Sequence, residues 1–288
     1  MYVCKKYLSM KLVIDCGSTK ADWAIINDSE LIKVFKTEGF NPNYTDKDAI
    51  LEIVSGGVSC DDYVKCISEI FFYGSGCGNE ANCKIVKDVL SSVYVNANVS
   101  VTHDMMATCY ALFGKGKGIA CILGTGSNSC YYNGVDIEDK AVSLGYVLGD
   151  EGSGSHLGKV LVHDYFYNRL PAELSERFER EYDVNLKSLL DNIYHNNNVS
   201  RYLASFAKFL HDNKEHEFIY DMCYRCFDEF VEYFIVKYEL AKHMEIGFVG
   251  SIAYCFQDII KRCLEDKGLR LGKVLKSPIE GLIDFHSC

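Results

Sequence analysis

One pattern occurs twice in this sequence and constrains the fold more than any other feature. Residues 10–26 read MKLVIDCGSTKADWAII: an apolar strand, a turn holding Asp15, Gly17, Ser18, Thr19 and Lys20, then a second strand. Residues 118–134 read GIACILGTGSNSCYYNG: again a strand, a turn of Gly, Thr, Ser and Asn, and a strand. Two tight hairpins with polar, glycine-rich tips, each followed by helix and strand patterns, point to two α/β lobes built on one plan.

The rest of the chain fits that division. Residues 11–16, 20–27 and 30–37 read as three strands, and EGFNPNYTD (38–46) as a loop whose Asn, Pro and Gly supply turn chemistry. Helical spacing covers 46–58. EIFFYGSGCGN (69–79) reads as a buried strand emptying into a glycine-rich loop, and 79–91 as a helix. VYVNANVSVTHD (93–104) reads as short strands ending on His103 and Asp104, with a helix to Phe113. A boundary near 113–118 gives an N-terminal lobe, 10–115, and a C-terminal lobe, 116–288, with a ligand cleft expected between them. The second lobe carries a helical insertion at about 155–245, after which EIGFVGSIA (245–253) restores a strand and opens a helix on a Gly-Ser turn. LGKVLKSPIEGLIDF (271–285) closes with a strand and a helix that could cross back to the first lobe. MYVCKKYLS (1–9) is too short and polar for a secretory apolar region and reads as an N-terminal extension ahead of a natural start at Met10.

Composition narrows the class. Hydrophobic residues make up 48% and charged ones 24%, enough apolar surface for a real core. A net charge of −10 with no dense Lys/Arg cluster argues against a nucleic-acid partner. A small anionic substrate would need local cations, a metal or backbone amides, because the global field repels it. No apolar run approaches the roughly 18 residues of a membrane span. Of the 14 cysteines, Cys121, Cys130 and Cys255 lie in apolar runs and read as small buried hydrophobes. Cys223 and Cys226 form a lone C-x-x-C on a helical stretch, short of the roughly four ligands of a zinc site, and read as structural. A reduced, cytoplasmic protein is expected.

Several short stretches carry candidate chemistry. The DCGSTKAD tip offers amides at Gly17, Ser18 and Thr19 as an anion-binding nest, with Asp15 able to hold Mg²⁺ through water. Lys20 either meets a phosphate or projects to solvent, and an ordinary polar turn is the plain alternative. LGTGSNS is a second nest, in which Gly124 and Gly126 permit close backbone approach while Thr125, Ser127 and Asn128 add polar side chains. The same device twice suits a polyphosphate, although neither turn has P-loop spacing. FVGSIA places Gly250 and Ser251 at a strand-to-helix junction that could border a nucleotide or simply begin a helix. In THDMMA, Asp104 is either a helix cap or a general base for a substrate hydroxyl, and the sequence leaves both open; His103 reads as a structural neighbour. GDEGSG (149–154) sets Asp150 and Glu151 between glycines, for sugar hydroxyls or metal-bound water, with capping by Asp150 or Ser153 as the alternative. Asn41 or Asn43 of GFNPN could reach a polar ligand.

The order D-C-G-S-T-K, H-D, G-T-G-S-N, G-D-E-G-S, F-V-G-S-I-A resembles the sugar kinase/Hsp70/actin superfamily. More narrowly it is similar to the BadF/BadG/BcrA/BcrD ATPase family with its N-acetylglucosamine kinase members, over nearly the whole chain from Met10. The resemblance implies an α/β fold of two actin-like (ribonuclease H-like) lobes, each with a mixed sheet. It makes Asp15 to Lys20 the first phosphate loop, with Asp15 at the Mg²⁺, and Gly124 to Asn128 the second. Gly250 and Ser251 would border adenosine, and Asp104 would be the catalytic base. Asn41, Ser75, Asn128, Asp150 and Glu151 would hold the sugar. The implied reaction is Mg²⁺-dependent transfer of phosphate from ATP to an amino sugar, N-acetylglucosamine at its 6-hydroxyl. The expected partners are that small sugar and a second copy of the chain, not nucleic acid or membrane. Within the same family, an activator of 2-hydroxyacyl-CoA dehydratases would need two cysteines per subunit facing a dimer axis for its [4Fe–4S] cluster, and no exposed pair is obvious. A non-catalytic sugar or nucleotide sensor is the further alternative.

Overall fold

The first hairpin forms as its apolar runs and tight turn require. β1 (Met10–Cys16) pairs antiparallel with β2 (Lys20–Asn27), which pairs antiparallel with β3 (Glu30–Glu38). β1 is the centre of its sheet, so both faces of it are covered and it reads as a continuous apolar run, whereas β3 is an edge strand and mostly exposed. After α1 (Lys47–Val58), β4 (Ile67–Gly74) adds parallel to β1; after α2 (Glu80–Val93), β5 (Asn98–His103) adds parallel to β4. The five-stranded order is β3-β2-β1-β4-β5, and α3 (Asp104–Phe113) follows directly on β5. In this computed structural model the described residues are 10–27, 30–58, 63–183, 185–195 and 198–287, so the extension 1–9 lies outside them.

The second unit repeats the plan. β6 (Gly118–Leu123), β7 (Ser127–Tyr132) and β8 (Ile137–Lys140) form an antiparallel meander. Then come α4 (Gly145–Leu148), α5 (Gly154–Phe166), α6 (Ala172–Glu181), α7 (Leu186–His195), α8 (Val199–Ser205), α9 (Ala207–Asp212) and α10 (Glu217–Phe230). A π-helical turn, Val231–Ile235, continues α10. β9 (Ile246–Val249) pairs parallel to β6; α11 (Ser251–Cys255) and α12 (Gln257–Asp266) lead to β10 (Leu271–Leu275), parallel to β9. The order β10-β9-β6-β7-β8 matches the first sheet strand for strand: a hairpin and edge strand on one side of the centre, two parallel strands on the other. This is a two-unit α/β fold with a mixed five-stranded sheet in each unit.

The first unit comprises the described residues up to Lys115 together with those from Ser277; the second is Gly116–Lys276. The returning helix α13 (Ile279–His286) therefore belongs with α3. A Cβ on Gly281 would lie 2.6 Å from the Ala111 carbonyl oxygen, Tyr110 stacks on Phe285 with centroids 4.1 Å apart, and Tyr73 Oη lies 2.8 Å from His286 Nε2. One core joins Leu12, Ile14 and Trp23 to Val54, Val86 and Leu90; the other centres on Phe178, Phe227, Phe230 and Phe248.

Three sequence readings are corrected. No strand occupies 93–97, because α2 continues to Val93 and Tyr94 closes it through its amide to the Leu90 carbonyl. β8 was not anticipated: IEDK is a polar, mostly exposed edge strand without the alternation that marks a half-buried one. Cys255 is partly exposed, whereas Cys121 and Cys130 are buried. Cys223 and Cys226 are 0% and 3% exposed on α10, within the second core. Among the described residues no helix is long and apolar enough to cross a membrane.

Candidate functional site

In the first unit, the parallel strands β1, β4 and β5 end side by side, and their C-terminal ends bring three candidates together. Asp15 stands on β1 opposite Tyr73, Ser75 follows β4, and Asp104 follows β5 as the first residue of α3. The Ser75 amide donates to the Cys16 carbonyl at 3.0 Å, and the Ser75 hydroxyl donates to Asp104 Oδ2 at 3.1 Å. Asp104 is therefore not the cap its sequence allowed. His103 holds the N-cap position and makes no capping bond with its side chain, while the Asp104 carboxylate is turned to Ser75.

Asp15 is also directly opposite Asp22 on β2. Burial, then the charges of Asp104 and Asp22, push the Asp15 carboxyl up to about 7, with Lys20 acting the other way. The Asp104 and Asp22 charges both act on Asp15, and a cation beside Asp15 would relieve that repulsion. Mg²⁺ fits this donor set, since it is commonly held by one or two carboxylates and keeps several waters. No group of three or more His, Cys, Asp or Glu side chains forms a metal cage among the described residues.

Lys20 meets neither reading of it fully: its ammonium lies 3.8 Å from Asp22 and its side chain is 57% exposed. Asp22 is buried, also faces Lys36 at 3.4 Å, and accepts from the Ser277 hydroxyl at 3.1 Å. The loop after β3 closes on the hairpin tip at a glycine. A Cβ on Gly39 would sit 2.0 Å from the Gly17 carbonyl oxygen. That approach lets Asn41 Nδ2 donate to Ser18 Oγ at 3.4 Å. Asn82 Nδ2 then donates to Gly76 O at 2.7 Å and to Asn43 Oδ1 at 2.8 Å, tying the two polar loops together. Ser18 is exposed and Gly17 and Thr19 are partly so.

In the second unit, Gly124 to Asn128, Asp150 and Gly250 come together. The Gly124 amide donates to the Gly126 carbonyl at 3.0 Å, closing the turn. The first amides of α5, at Gly154 and Ser155, donate to the Gly124 and Thr125 carbonyls at 2.8 and 3.1 Å. The orphan donors of a helix start are thus used to fix the turn. Asp150 sits behind it: a Cβ on Gly126 would lie 2.9 Å from Asp150 Oδ2, and the Ser127 amide donates to Asp150 Oδ1 at 3.4 Å. Burial raises the Asp150 carboxyl above its ordinary range, against the Ser127 amide and with the Glu151 charge. Asp150 also has φ +59°, a left-handed conformation held at a polar turn.

Gly250 has φ +129°, and a Cβ there would lie 2.1 Å from the Leu123 carbonyl oxygen, so only glycine lets the β9–α11 junction approach the turn this closely. Ser251 is exposed, and Thr125, Asn128 and Glu151 are partly exposed. Asn128 Oδ1 accepts from the Ser129 amide at 2.9 Å. The Ser127 hydroxyl is buried with no partner.

Sequence reasoning passed over Asp22 and Asn82. Asp22 carried a signal, a lone acid inside the apolar run ADWAII; Asn82 carried none, because it acts through contacts with two other loops.

Two mixed sheets of identical order, each opening with a hairpin whose turn is rich in Gly, Ser and Thr, define an actin-like α/β fold. A Porphyromonas gingivalis protein assigned as an N-acetylglucosamine kinase superposes with a TM-score of 0.91 at 33% identity, covering 96% of this chain and 98% of that one. The chain belongs to the family of that protein. A Chromobacterium violaceum protein with the same assignment has a TM-score of 0.76 at 14% identity over 96% and 98% of the two chains. A Listeria monocytogenes protein assigned as an N-acetylmannosamine kinase has a TM-score of 0.51 at 15% identity over the same shares. These two share the fold. No protein-family model matches the sequence, and no curated protein sequence is similar to it.

Proposed function

We propose that this protein is an ATP-dependent sugar kinase that phosphorylates an amino sugar, N-acetylglucosamine at the 6-hydroxyl. The observation that carries the reading is the full-length relationship, at 33% identity, to a protein assigned as an N-acetylglucosamine kinase. The placement of Asp104 beside Ser75 at the strand ends supports it.

Phosphoryl transfer asks a protein for positioning and charge stabilisation more than for covalent chemistry. Asp104, fixed by Ser75, is the base that would take the proton from the attacking sugar hydroxyl. Asn41, Ser75, Asn128, Asp150 and Glu151 would hold the sugar. The Gly17 and Gly124 amides close their own turns on the Lys20 and Gly126 carbonyls, both at 3.0 Å, so the amides of Ser18, Thr19, Thr125 and Gly126 would bind phosphoryl oxygens, with Lys20 released from Asp22 to join them. Gly250 and Ser251 would leave room for adenosine. Asp15 would hold Mg²⁺, which when bound offsets the negative charge of the phosphates. A second copy of the chain is the proposed assembly partner.

ADP release, measured by a coupled assay across hexoses and N-acetylhexosamines, tests the reading. The expected result is ATP turnover that depends on N-acetylglucosamine, with the 6-phosphate as product. ATP turnover indifferent to every sugar would overturn it.

A further inference from the structure

The loop Gly149 to Gly154 carries Asp150 and Glu151, yet it has little regular structure to hold it. Its conformation is demanding: Asp150 and Gly152 have φ of +59° and +68°. The turn closes through the Ser153 amide on the Asp150 carbonyl at 3.1 Å. Ser153 then caps α5 by accepting from the His156 amide at 3.2 Å. From below, α10 packs against it so tightly that a Cβ on Gly152 would lie 2.8 Å from Phe230 Cβ.

One side chain reaches back into this loop. The Gly152 amide donates to His156 Nδ1 at 3.1 Å. An imidazole that accepts at Nδ1 must be neutral and carry its proton on Nε2. The surroundings enforce that state: burial, then the nearby Lys159 charge, lower the His156 pKa to about 4. Nε2 faces Glu229 Oε2 on α10 at 3.7 Å, which favours the tautomer with its proton on that side. Backbone capping alone would need no particular side chain at 156. The bond to Gly152 needs an acceptor at this one point.

We propose that His156 is a positioning residue: its Nδ1 fixes the Gly152 amide and thereby the placement of Asp150 and Glu151 toward the sugar. This rests on the sugar-kinase reading for its consequence, but the bond itself is tested without it. His156→Leu removes the acceptor, while His156→Asn keeps an acceptor oxygen near the position of Nδ1. His156→Gln, whose oxygen lies one bond farther out, replaces the leucine variant if that one does not fold.

Amide hydrogen exchange at Gly152 and steady-state kinetics are measured on the same preparations. His156→Leu should speed exchange at Gly152 and raise KM for N-acetylglucosamine, each by about tenfold, the worth of one neutral hydrogen bond. The KM for ATP should move less than about twofold, within the scatter of changes that leave no hydrogen bond broken. His156→Asn should recover most of both effects. Unchanged exchange and KM in His156→Leu would overturn the proposal, and so would His156→Asn behaving like His156→Leu. If the wild type phosphorylates no sugar, the kinase reading fails, while the exchange rates of the variants still decide the role of His156.

Discussion

Asp104→Asn separates the base from its structural setting. The variant keeps the size of the side chain and an oxygen that can still accept from the Ser75 hydroxyl, now 3.1 Å from Asp104 Oδ2. The lost negative charge at the start of α3 should cost about 0.3–1 kcal/mol of helix-dipole stabilisation. That loss is opposed by relief of the repulsion that Asp104 imposes on Asp15. The net change in melting temperature should therefore stay within about 3 °C. An amide cannot take the proton of a sugar hydroxyl, and a general base contributes on the order of 10²–10⁴ in rate. The expected variant folds, binds N-acetylglucosamine by calorimetry as the wild type does, and loses at least about 10² in kcat in the ADP-release assay. A folded variant with near-normal turnover would show that Asp104 is not the base.

Three further outcomes follow from the geometry. Asp15 has its folded-state pKa raised from 3.8 to about 7, so its ionisation opposes folding, and stability is lost as pH rises from about 4 to 7. Asp15→Asn should therefore melt several degrees above the wild type at pH 8 and with little difference at pH 4, while using Mg·ATP poorly; differential scanning calorimetry across pH would expose a gap that does not widen. Gly250→Ala forces a Cβ to 2.1 Å from the Leu123 carbonyl at φ +129°, and should cost more than about 2 kcal/mol, read as a lower denaturant midpoint. An unchanged midpoint would mean that the β9–α11 junction yields easily. Ser75→Ala should lower kcat/KM about tenfold while ATP binding holds, since it removes the donor that aims Asp104; unaltered kcat/KM would take Ser75 out of the site.

The sequence by itself determined the local elements. Both hairpins could be read because strand runs and turn chemistry are short-range: apolar strands, and Gly, Ser and Asn at the tips. The repeat of that pattern foretold two sheets of one design, and the two strand orders agree with it. It failed where local pattern is weak or misleading, as at polar β8 and at 93–97, where the helix α2 and its closing Tyr94 outweigh the β propensity of VYV. Only the tertiary structure decided that Asp104 faces Ser75 and not its own helix start, because the parallel pairing of β1, β4 and β5 sets which strand ends meet. It alone put Asp22 under Ser277 and brought α13 back to α3. Side-chain partners far apart in sequence depend on sheet register and helix docking, which no window of neighbouring residues encodes.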